Sequence, residues 1–438
     1  MPRKWSPLMP YSHAPNDLSF TALSAAYVQD EAPLVQRLIQ TAALSAGDRE
    51  AIAETATQFV ETLRHPSNRP STIDAFLEEF SLSSEEGILL MRLAESLIRT
   101  PDTQTATLLL RDNLAAGAWS DHLSAKPILV KLGAAGLAFC KSWIIATGGV
   151  NARHLLARLG DRVMLMAVRS AIGVLGRHFV LGTSIDDALR RARKEDAASS
   201  TYSFDMLGEA ALTQADADRY FNAYKTALLR MEATSRAEDL HDAPSLSVKL
   251  SALHPRYDYA NRRRCVPDLV DRLLDLVEIA KDANLGLTID AEEADRLETS
   301  FLVLEQLLAS PMTKDWDGLG LAIQAYQRRA LPALDWVIRA TDHYQRKITV
   351  RLVKGAYWDS EIKRAQEMGL EDYPVFTRKA HSDIGYLAAA RKLLARPDRI
   401  YPQFATHNAH TAAAIIHMAG DRKDLEFQRL HGMSDALH

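Results

Sequence analysis

The sequence predicts an α/β protein, an incomplete (β/α)8 barrel preceded by a helical arm and a helical domain. Before about residue 242 the patterns are helical, and after it short β-like runs alternate with helical runs. Polar residues also stand repeatedly where the β-like runs end. Alternating strands and helices imply a parallel sheet with right-handed crossovers, and a barrel gathers the ends of its strands at one mouth.

The first part of the chain has the spacing of amphipathic helices. A capping pattern at residues 83–86 begins a segment with one leucine face, which Pro101 ends. Further amphipathic runs lie at residues 104–114, 152–176 and 215–235. The Pro-Ser-Asn-Arg-Pro stretch at residues 66–70 has the composition of a loop. We therefore predict an N-terminal arm over residues 1–65, a helical domain over 66–241 and a barrel over 242–438.

The second part of the chain alternates between the two periodicities. Six strands are predicted, at residues 246–253, 286–291, 319–326, 348–355, 403–407 and 425–430. Helices are predicted at residues 269–283, 294–309, 330–344, 381–395 and 409–419. A barrel of this kind needs eight strands and about 250 residues. The sequence therefore predicts that the chain stops some tens of residues before the barrel closes.

Composition excludes several classes of protein. The 438 residues carry 52 Lys and Arg against 56 Asp and Glu, so no basic field favours nucleic acid as a partner. The two cysteines, Cys140 and Cys265, are far apart, which argues against a disulfide scaffold or a structural zinc site. The most apolar segment, residues 128–146, is interrupted by Lys131 and Lys141 and is too short to span a bilayer. With no secretory signal at the N-terminus, these features predict a cytosolic protein.

Polar residues at the strand ends are the candidates for a functional site. They are Lys249, Asp290, Gln324, Arg351, Lys354, Thr406 and His407. Each has a structural alternative: Lys249 can be a strand-edge residue, Asp290 can cap the next helix, and Gln324 or Thr406 can satisfy loop backbone. Because all seven fall on one predicted rim, the functional interpretation is favoured.

The most informative segment is residues 351–359, where a strand ends in two cations, a glycine and two aromatic residues. Arg351 and Lys354 are costly to bury without anionic partners, and the segment suits an anionic, planar cofactor. His407, His410 and His417 have no acidic partner at metal-site spacing, so a metal site is disfavoured. The chain also has no P-loop, no GxSxG elbow, no HExxH motif and no complete Rossmann fingerprint.

Five segments resemble the barrel of flavin-dependent proline dehydrogenases, in the version found in proline utilization A proteins. They are residues 247–257, 289–293, 351–359, 401–410 and 427–433. Residues 80–87 and 202–209 resemble the arm and the helical domain that precede that barrel. The resemblance implies oxidation of L-proline to 1-pyrroline-5-carboxylate, with hydride transfer to N5 of FAD and electrons passed to a quinone. This is the first step of proline degradation to glutamate.

The resemblance also implies roles for individual residues. Arg351 would lie near the flavin N5 and act in catalysis with Asp290, which would pair with Lys249 beneath the substrate. The substrate-binding residues would be Lys249, Tyr357 and Leu430. The cofactor-binding residues would be Ala291, Gln324, Arg351, Val353, Lys354, Gly355, Ala356, Trp358, Arg378, Lys379, Thr406 and His407. For Arg378 and Lys379 an exposed helix start is an equal alternative.

The sequence departs from this family at its end. The family holds the proline carboxylate with two adjacent arginines on a last helix, and residues 430–438 supply neither. No aldehyde dehydrogenase half and no N-terminal DNA-binding module are recognised, so we expect a truncated product of a longer protein. The alternative function is an inactive fragment that serves only as an oligomerisation or interaction element. A homo-oligomer built through residues 12–45 and a peripheral membrane contact are further expectations, with no nucleic-acid partner.

Overall fold

The computed structural model describes residues 18–65, 105, 180–195, 200–208, 210–235, 237–433 and 437. These residues divide into two compact units. The first holds residues 18–61, the described part of 183–429, and residue 437. The second is represented by residues 62–65, 105, 180–182 and 430–433. Everything said below about the sheet and its rim concerns the first unit.

The chain begins with the helices of the N-terminal arm, α1 (Thr21–Ala25), α2 (Glu31–Thr41) and α3 (Ala46–Arg64). Asp30 caps α2, since its side chain accepts a hydrogen bond from the Ala32 amide at 3.0 Å. Ser45 and Asp48 form a reciprocal cap at the start of α3, with each side chain 3.0 Å from the other's backbone nitrogen. Helices α2 and α3 therefore start where side-chain oxygens replace missing backbone acceptors.

The remaining helices of the described chain follow the arm. They are α4 (Ile185–Glu195), α5 (Gln214–Glu232), α6 (Leu250–Leu253), α7 (Arg262–Asp282), α8 (Leu297–Ala309), α9 (Ala330–Tyr344), α10 (Trp358–Glu367), α11 (Lys379–Leu394) and α12 (Ala409–Ala419). No helix among the described residues is both long enough and apolar enough to cross a membrane.

Seven strands in the described residues form one parallel sheet whose order follows the chain. They are β1 (Ser203–Asp205), β2 (Ser245–Val248), β3 (Gly286–Ile289), β4 (Leu319–Gln324), β5 (Ile348–Val353), β6 (Ile400–Ala405) and β7 (Glu426–Gln428). Each strand pairs in parallel with the next, and helices connect most of them. This is the curled sheet of an incomplete (β/α)8 barrel, as the sequence predicts.

The core lies between the sheet and its helices. All six residues of β4 are buried, because both faces of a barrel strand are covered. The aliphatic face of α7 packs inward, with Leu269, Leu273 and Leu276 fully buried. Such near-continuous apolar strands are typical of parallel sheets. The packed helices fix the strands, and so fix the positions of the residues that follow them.

Several predicted boundaries are wrong. Six strands were predicted and seven are described, because β1 has only three residues and a single buried side chain, Phe204. The predicted strand at 246–253 is too long, since Leu250–Leu253 is the short helix α6. The strand predicted at 403–407 begins earlier, at Ile400, and includes Pro402. β1 also lies in the part of the chain where only helical patterns were predicted.

The five helices predicted in the second part are confirmed by α7, α8, α9, α11 and α12, although α7 begins at Arg262, well before the predicted start at residue 269. The run at 215–235 corresponds to α5. The runs predicted at 83–101, 104–114 and 152–176 lie outside the described residues, apart from residue 105.

Candidate functional site

Three charged side chains from β2, β3 and β5 meet at the rim of the sheet. Lys249 follows β2, Asp290 follows β3 and Arg351 lies in β5. The Nζ atom of Lys249 is 3.2 Å from Asp290 Oδ2, and Nη1 of Arg351 is 2.9 Å from Asp290 Oδ1. Asp290 thus holds both cations, one on each carboxylate oxygen. For these two residues the geometry favours an ion pair. The structural alternatives, Lys249 as a strand-edge residue and Asp290 as a helix cap, are disfavoured.

The guanidinium of Arg351 is fixed by two serines as well as by Asp290. Its Nη1 donates to Ser247 Oγ and its Nη2 to Ser203 Oγ, both at 2.8 Å. Its Nε is buried, and within the described part of the chain it has no hydrogen-bond partner. Since buried N–H groups are nearly always paired, this atom is available to a bound acceptor.

Asp205 completes the charged network and was not predicted. It ends β1, and its Oδ1 accepts a hydrogen bond from Lys249 Nζ at 2.7 Å. Burial and the neighbouring Asp290 charge raise the pKa of Asp205, against the opposing effect of Lys249. Asp205 escaped prediction because β1 was missed; the only signal was its place in the Tyr-Ser-Phe-Asp run at residues 202–205.

The loop between β5 and α10 lies against Gln324 and Tyr326. Gln324 donates from Nε2 to the Glu292 carbonyl at 2.7 Å, and its Oε1 accepts from the Ala356 amide at 3.2 Å. Gly355 has φ +146°, and a Cβ there would lie 2.3 Å from the Tyr326 ring. Only glycine fits this close approach in this conformation. Gly355 and Ala356 are themselves exposed at the rim.

Two aromatic residues follow this loop. Tyr357 is half-buried, and burial raises its pKa, so its phenol stays neutral at physiological pH. Trp358 begins α10, and its side chain remains 42% exposed. The indole N–H donates to the carbonyl of Phe376 at 2.8 Å. The ring is therefore held in place while much of its surface is free for a ligand.

A second charged group lies at the N-termini of α11 and α12. Lys354 donates to Asp383 on α11 and, at 3.2 Å, to Thr411 Oγ1 on α12. Asp383 also accepts from Lys379 Nζ at 2.7 Å. Lys379 and Arg378 are both exposed at the start of α11. Cations beside helix N-termini form a suitable site for phosphate groups.

The remaining predicted residues have varied positions. Thr406 follows β6, is buried, and accepts a hydrogen bond from the Asn408 amide at 3.2 Å, whereas His407 is exposed. Ala291 and Val353 lie half-buried at the ends of β3 and β5. Leu430 belongs to the second compact unit, so it is described apart from this rim. Among the described residues no group of His, Cys, Asp and Glu side chains could hold a metal ion.

Comparison with known proteins bears on the family of the chain rather than on its single residues. A family profile described as "Proline dehydrogenase" matches residues 188–438, more than half of the chain. The chain belongs to the proline dehydrogenase family. A second profile, "Proline utilization A proline dehydrogenase N-terminal domain", matches residues 21–64.

Individual relatives that resemble this chain include proline utilization A proteins. It is 44% identical over 435 residues to the bifunctional protein PutA of Salmonella typhimurium, covering 97% of this chain and 33% of that protein. A crystal structure of proline utilization A from Bradyrhizobium japonicum is 44% identical, with a TM-score of 0.70 over 98% of this chain and 42% of that one. Proline dehydrogenase 1 of Bacillus subtilis is 25% identical over 288 residues. The chain spans about a third of the length of the curated PutA relatives it matches.

One match conflicts with our expectations. A profile described as "DNA-binding domain of Proline dehydrogenase" matches residues 72–179. The near-neutral charge of the chain had led us to expect no nucleic-acid partner, and the resemblance to the family had revealed no N-terminal DNA-binding module. Charge gives no signal for this segment, since its Lys and Arg residues nearly balance its Asp and Glu residues.

Proposed function

We propose that this chain oxidises L-proline to 1-pyrroline-5-carboxylate with FAD as its cofactor. The observation that carries the proposal is the network in which Asp290 holds both Lys249 and Arg351 at the rim of the sheet. Membership of the proline dehydrogenase family supplies the reaction class. The quinone acceptor and a homo-oligomeric state belong to the same proposal. The cytoplasmic location and the domain boundaries at residues 65 and 241 also stay predictions.

The rim residues fit a flavin. The buried Nε of Arg351 is unpaired within the described chain, and a ligand acceptor would satisfy it. Gly355 and Ala356 leave an exposed backbone edge, and Trp358 presents a flat apolar face. Lys354, Arg378 and Lys379 supply positive charge for phosphates near the start of α11, and Thr406 and His407, which follow β6, are proposed as further cofactor contacts. Gln324 fixes the Ala356 amide, while Ala291 and Val353 line the strand ends.

In this arrangement each side chain has a definable task. A bound flavin would accept the hydride that leaves the proline ring. Arg351 presents a fixed cation at the rim, where it can stabilise negative charge without reorganisation because Asp290, Ser203 and Ser247 already orient it. Lys249 positions the substrate, and Tyr357 is proposed as a wall around its ring, while a substrate-binding role for Leu430 stays a prediction from the sequence. Asp290 fixes the positions of both cationic side chains, Lys249 and Arg351.

The experiment that tests this proposal is a visible absorption spectrum of the purified chain supplied with FAD, followed by anaerobic addition of proline. A flavin spectrum that bleaches with proline would support the proposed reaction. A spectrum that stays unbleached would leave a cofactor-binding chain without substrate turnover. If the chain retains no flavin, the alternative function as an inactive interaction element would be favoured instead.

A further inference from the structure

The N-terminal arm reaches the start of α11 through one carboxylate, that of Glu31. Its oxygens accept hydrogen bonds from the Thr377 amide at 3.1 and 3.2 Å and from Thr377 Oγ1 at 3.0 Å. His381 Nδ1 also contacts this carboxylate. Thr377 and His381 lie on either side of Arg378 and Lys379 in the chain. Glu31 therefore contacts the chain both before and after the two residues proposed to bind phosphate.

The carboxylate of Glu31 is itself fixed by the buried guanidinium of Arg328. Nη2 of Arg328, whose side chain is only 1% exposed, lies 2.7 Å from Glu31 Oε2. The same guanidinium binds both oxygens of Asp372, at 2.5 and 2.8 Å, and the Gln29 carbonyl at 2.9 Å. Burial alone would raise the pKa of Glu31, but hydrogen bonds from His381 and Thr377 and the nearby Arg328 keep that pKa below its ordinary value. Glu31 is therefore anionic at neutral pH.

The segment that Glu31 fixes also carries a proposed cofactor contact. Phe376, next to Thr377, accepts the indole hydrogen bond of Trp358 at 2.8 Å. The Phe376 amide donates to the Tyr326 carbonyl at 2.8 Å, and Tyr326 is the ring beneath Gly355. The Phe376 side chain packs with Leu34 and Leu38 of α2. A shift of this segment would thus be transmitted to Trp358 on one side and to Arg378 and Lys379 on the other.

We propose that Glu31 is a positioning residue that sets, from the arm, the geometry of the cofactor-contacting residues Trp358, Arg378 and Lys379. This inference rests on the proposed flavin function. It assigns to the arm a part in cofactor binding, in addition to the apolar contacts that attach it. A displacement of about 1 Å, caused by a change far from the reacting atoms, can lower a reaction rate by about a hundredfold. A carboxylate that fixes the cofactor-contacting residues can therefore matter without touching the ligand itself.

The arm should stay docked when Glu31 is changed, which makes the test interpretable. Trp336 Nε1 donates to the Leu18 carbonyl at 2.9 Å, and Gln29 Nε2 donates to the Arg328 carbonyl at 2.6 Å. Ser24 Oγ donates to Glu298 at 2.8 Å, away from α11. Ser24→Ala is therefore a matched control that removes an arm contact but leaves residues 374–381 untouched.

The test measures two quantities on the full chain: the dissociation constant of FAD and the exchange rates of the amide hydrogens within residues 374–381, where Pro374 carries none. Glu31→Ala is expected to weaken FAD binding about tenfold and to speed exchange at the Thr377 amide and its neighbours. Glu31→Gln keeps an acceptor for the Thr377 amide, so both of its effects should be smaller and in the same direction. Ser24→Ala should change neither quantity.

Two results would overturn the inference. The first is faster exchange in Glu31→Ala with an unchanged dissociation constant, which would reduce Glu31 to a structural role. The second is weaker FAD binding without a change in the exchange of residues 374–381. Failure of the unaltered chain to bind FAD is distinguishable from both, since it removes the proposed function itself and this inference with it.

Discussion

At the scale of single residues, the site depends on Asp290 satisfying two cations at once. Its side chain and those of Lys249 and Arg351 are each less than one-fifth exposed. Two partly desolvated cations in one site repel each other unless a carboxylate lies between them. Asp290 therefore determines where both cations can be, which explains why an ion pair is tolerated at the end of a strand.

We expect Asp290→Asn to lower proline turnover by about a hundredfold. The amide keeps the size of the side chain but cannot neutralise Lys249 and Arg351, so the guanidinium loses its fixed orientation. Steady-state kinetics with proline would measure the loss. Asp205→Asn is the comparison, because its side chain is hydrogen-bonded to Lys249 and not to Arg351; an equal effect of the two changes would contradict the central role given to Asp290.

Gly355 has a role that depends on its missing side chain. We expect Gly355→Ala to destabilise the chain by about 2–4 kcal/mol, since backbone strain at a positive φ adds to overpacking against Tyr326. Gly369 also has a positive φ, +64°, but a Cβ there would meet nothing within 4 Å. Gly369→Ala should therefore cost only about 1–2 kcal/mol. Urea unfolding of both variants measures the difference, and equal losses would show that the ring contact is unimportant.

Sequence reasoning was effective for residues whose chemistry is unusual at their position. A lysine and an arginine on apolar strands demand an anion, and Asp290 is the partner that the structure shows. Ser203 and Ser247 could not be found this way, because serine is unremarkable in any context. Their importance comes only from lying within reach of Arg351 across the sheet, which no local pattern encodes.

At the scale of elements, the arm is attached to the barrel helices at more than one place. The carboxylate of Asp48, at the start of α3, lies 3.0 Å from His417 Nε2 on α12. Hydrogen bonds from His417 and Ser45 lower the pKa of Asp48 to about 2. The arm helix α3 thus makes a pH-dependent contact with α12.

This contact predicts how stability changes in acid. Because the pKa of Asp48 lies below its unfolded value, its contribution is complete above about pH 4 and is lost as the pH falls toward about 2. Asp48→Asn should lower the thermal midpoint at neutral pH, and its difference from the unaltered chain should shrink in acid. Glu50→Gln, on the exposed face of the same helix, is the control. A difference that is constant with pH would contradict the assignment.

Element types were predicted better than element ends. The helices were found because their apolar spacing is regular over many residues, as in α9. β1 was missed because three residues with one buried side chain give no period to detect. Leu250–Leu253 was read as strand because a short apolar run suits a buried strand or a buried helix equally well.

At the scale of the whole molecule, the described sheet has central strands and two edge strands. β4 and β5 each pair with strands on both sides, whereas among the described strands β1 pairs only with β2 and β7 only with β6. Edge strands have half their backbone groups free of ladder hydrogen bonds. Stability should therefore fall from the middle of the sheet toward its edges.

Amide exchange of the full chain tests this gradient. We expect the amides of β4 and β5 to exchange at least about a hundredfold more slowly than those of β7, since central strands open only with global unfolding. The edge strands should open locally at lower free energy. Uniform protection from β1 to β7 would contradict the prediction and indicate that the edges are covered by another part of the protein.

The contact between Glu31 and Thr377 joins residues that are 346 positions apart in the chain. Synthesis proceeds from the N-terminus, so the arm emerges long before its acceptor on α11 exists. Closing so distant a contact gains nothing until the strands between have assembled, because the entropy of the loop must be overcome first. The arm is accordingly expected to be among the last elements to dock, and the start of α11 would reach its final geometry only when the rest of the fold is already in place.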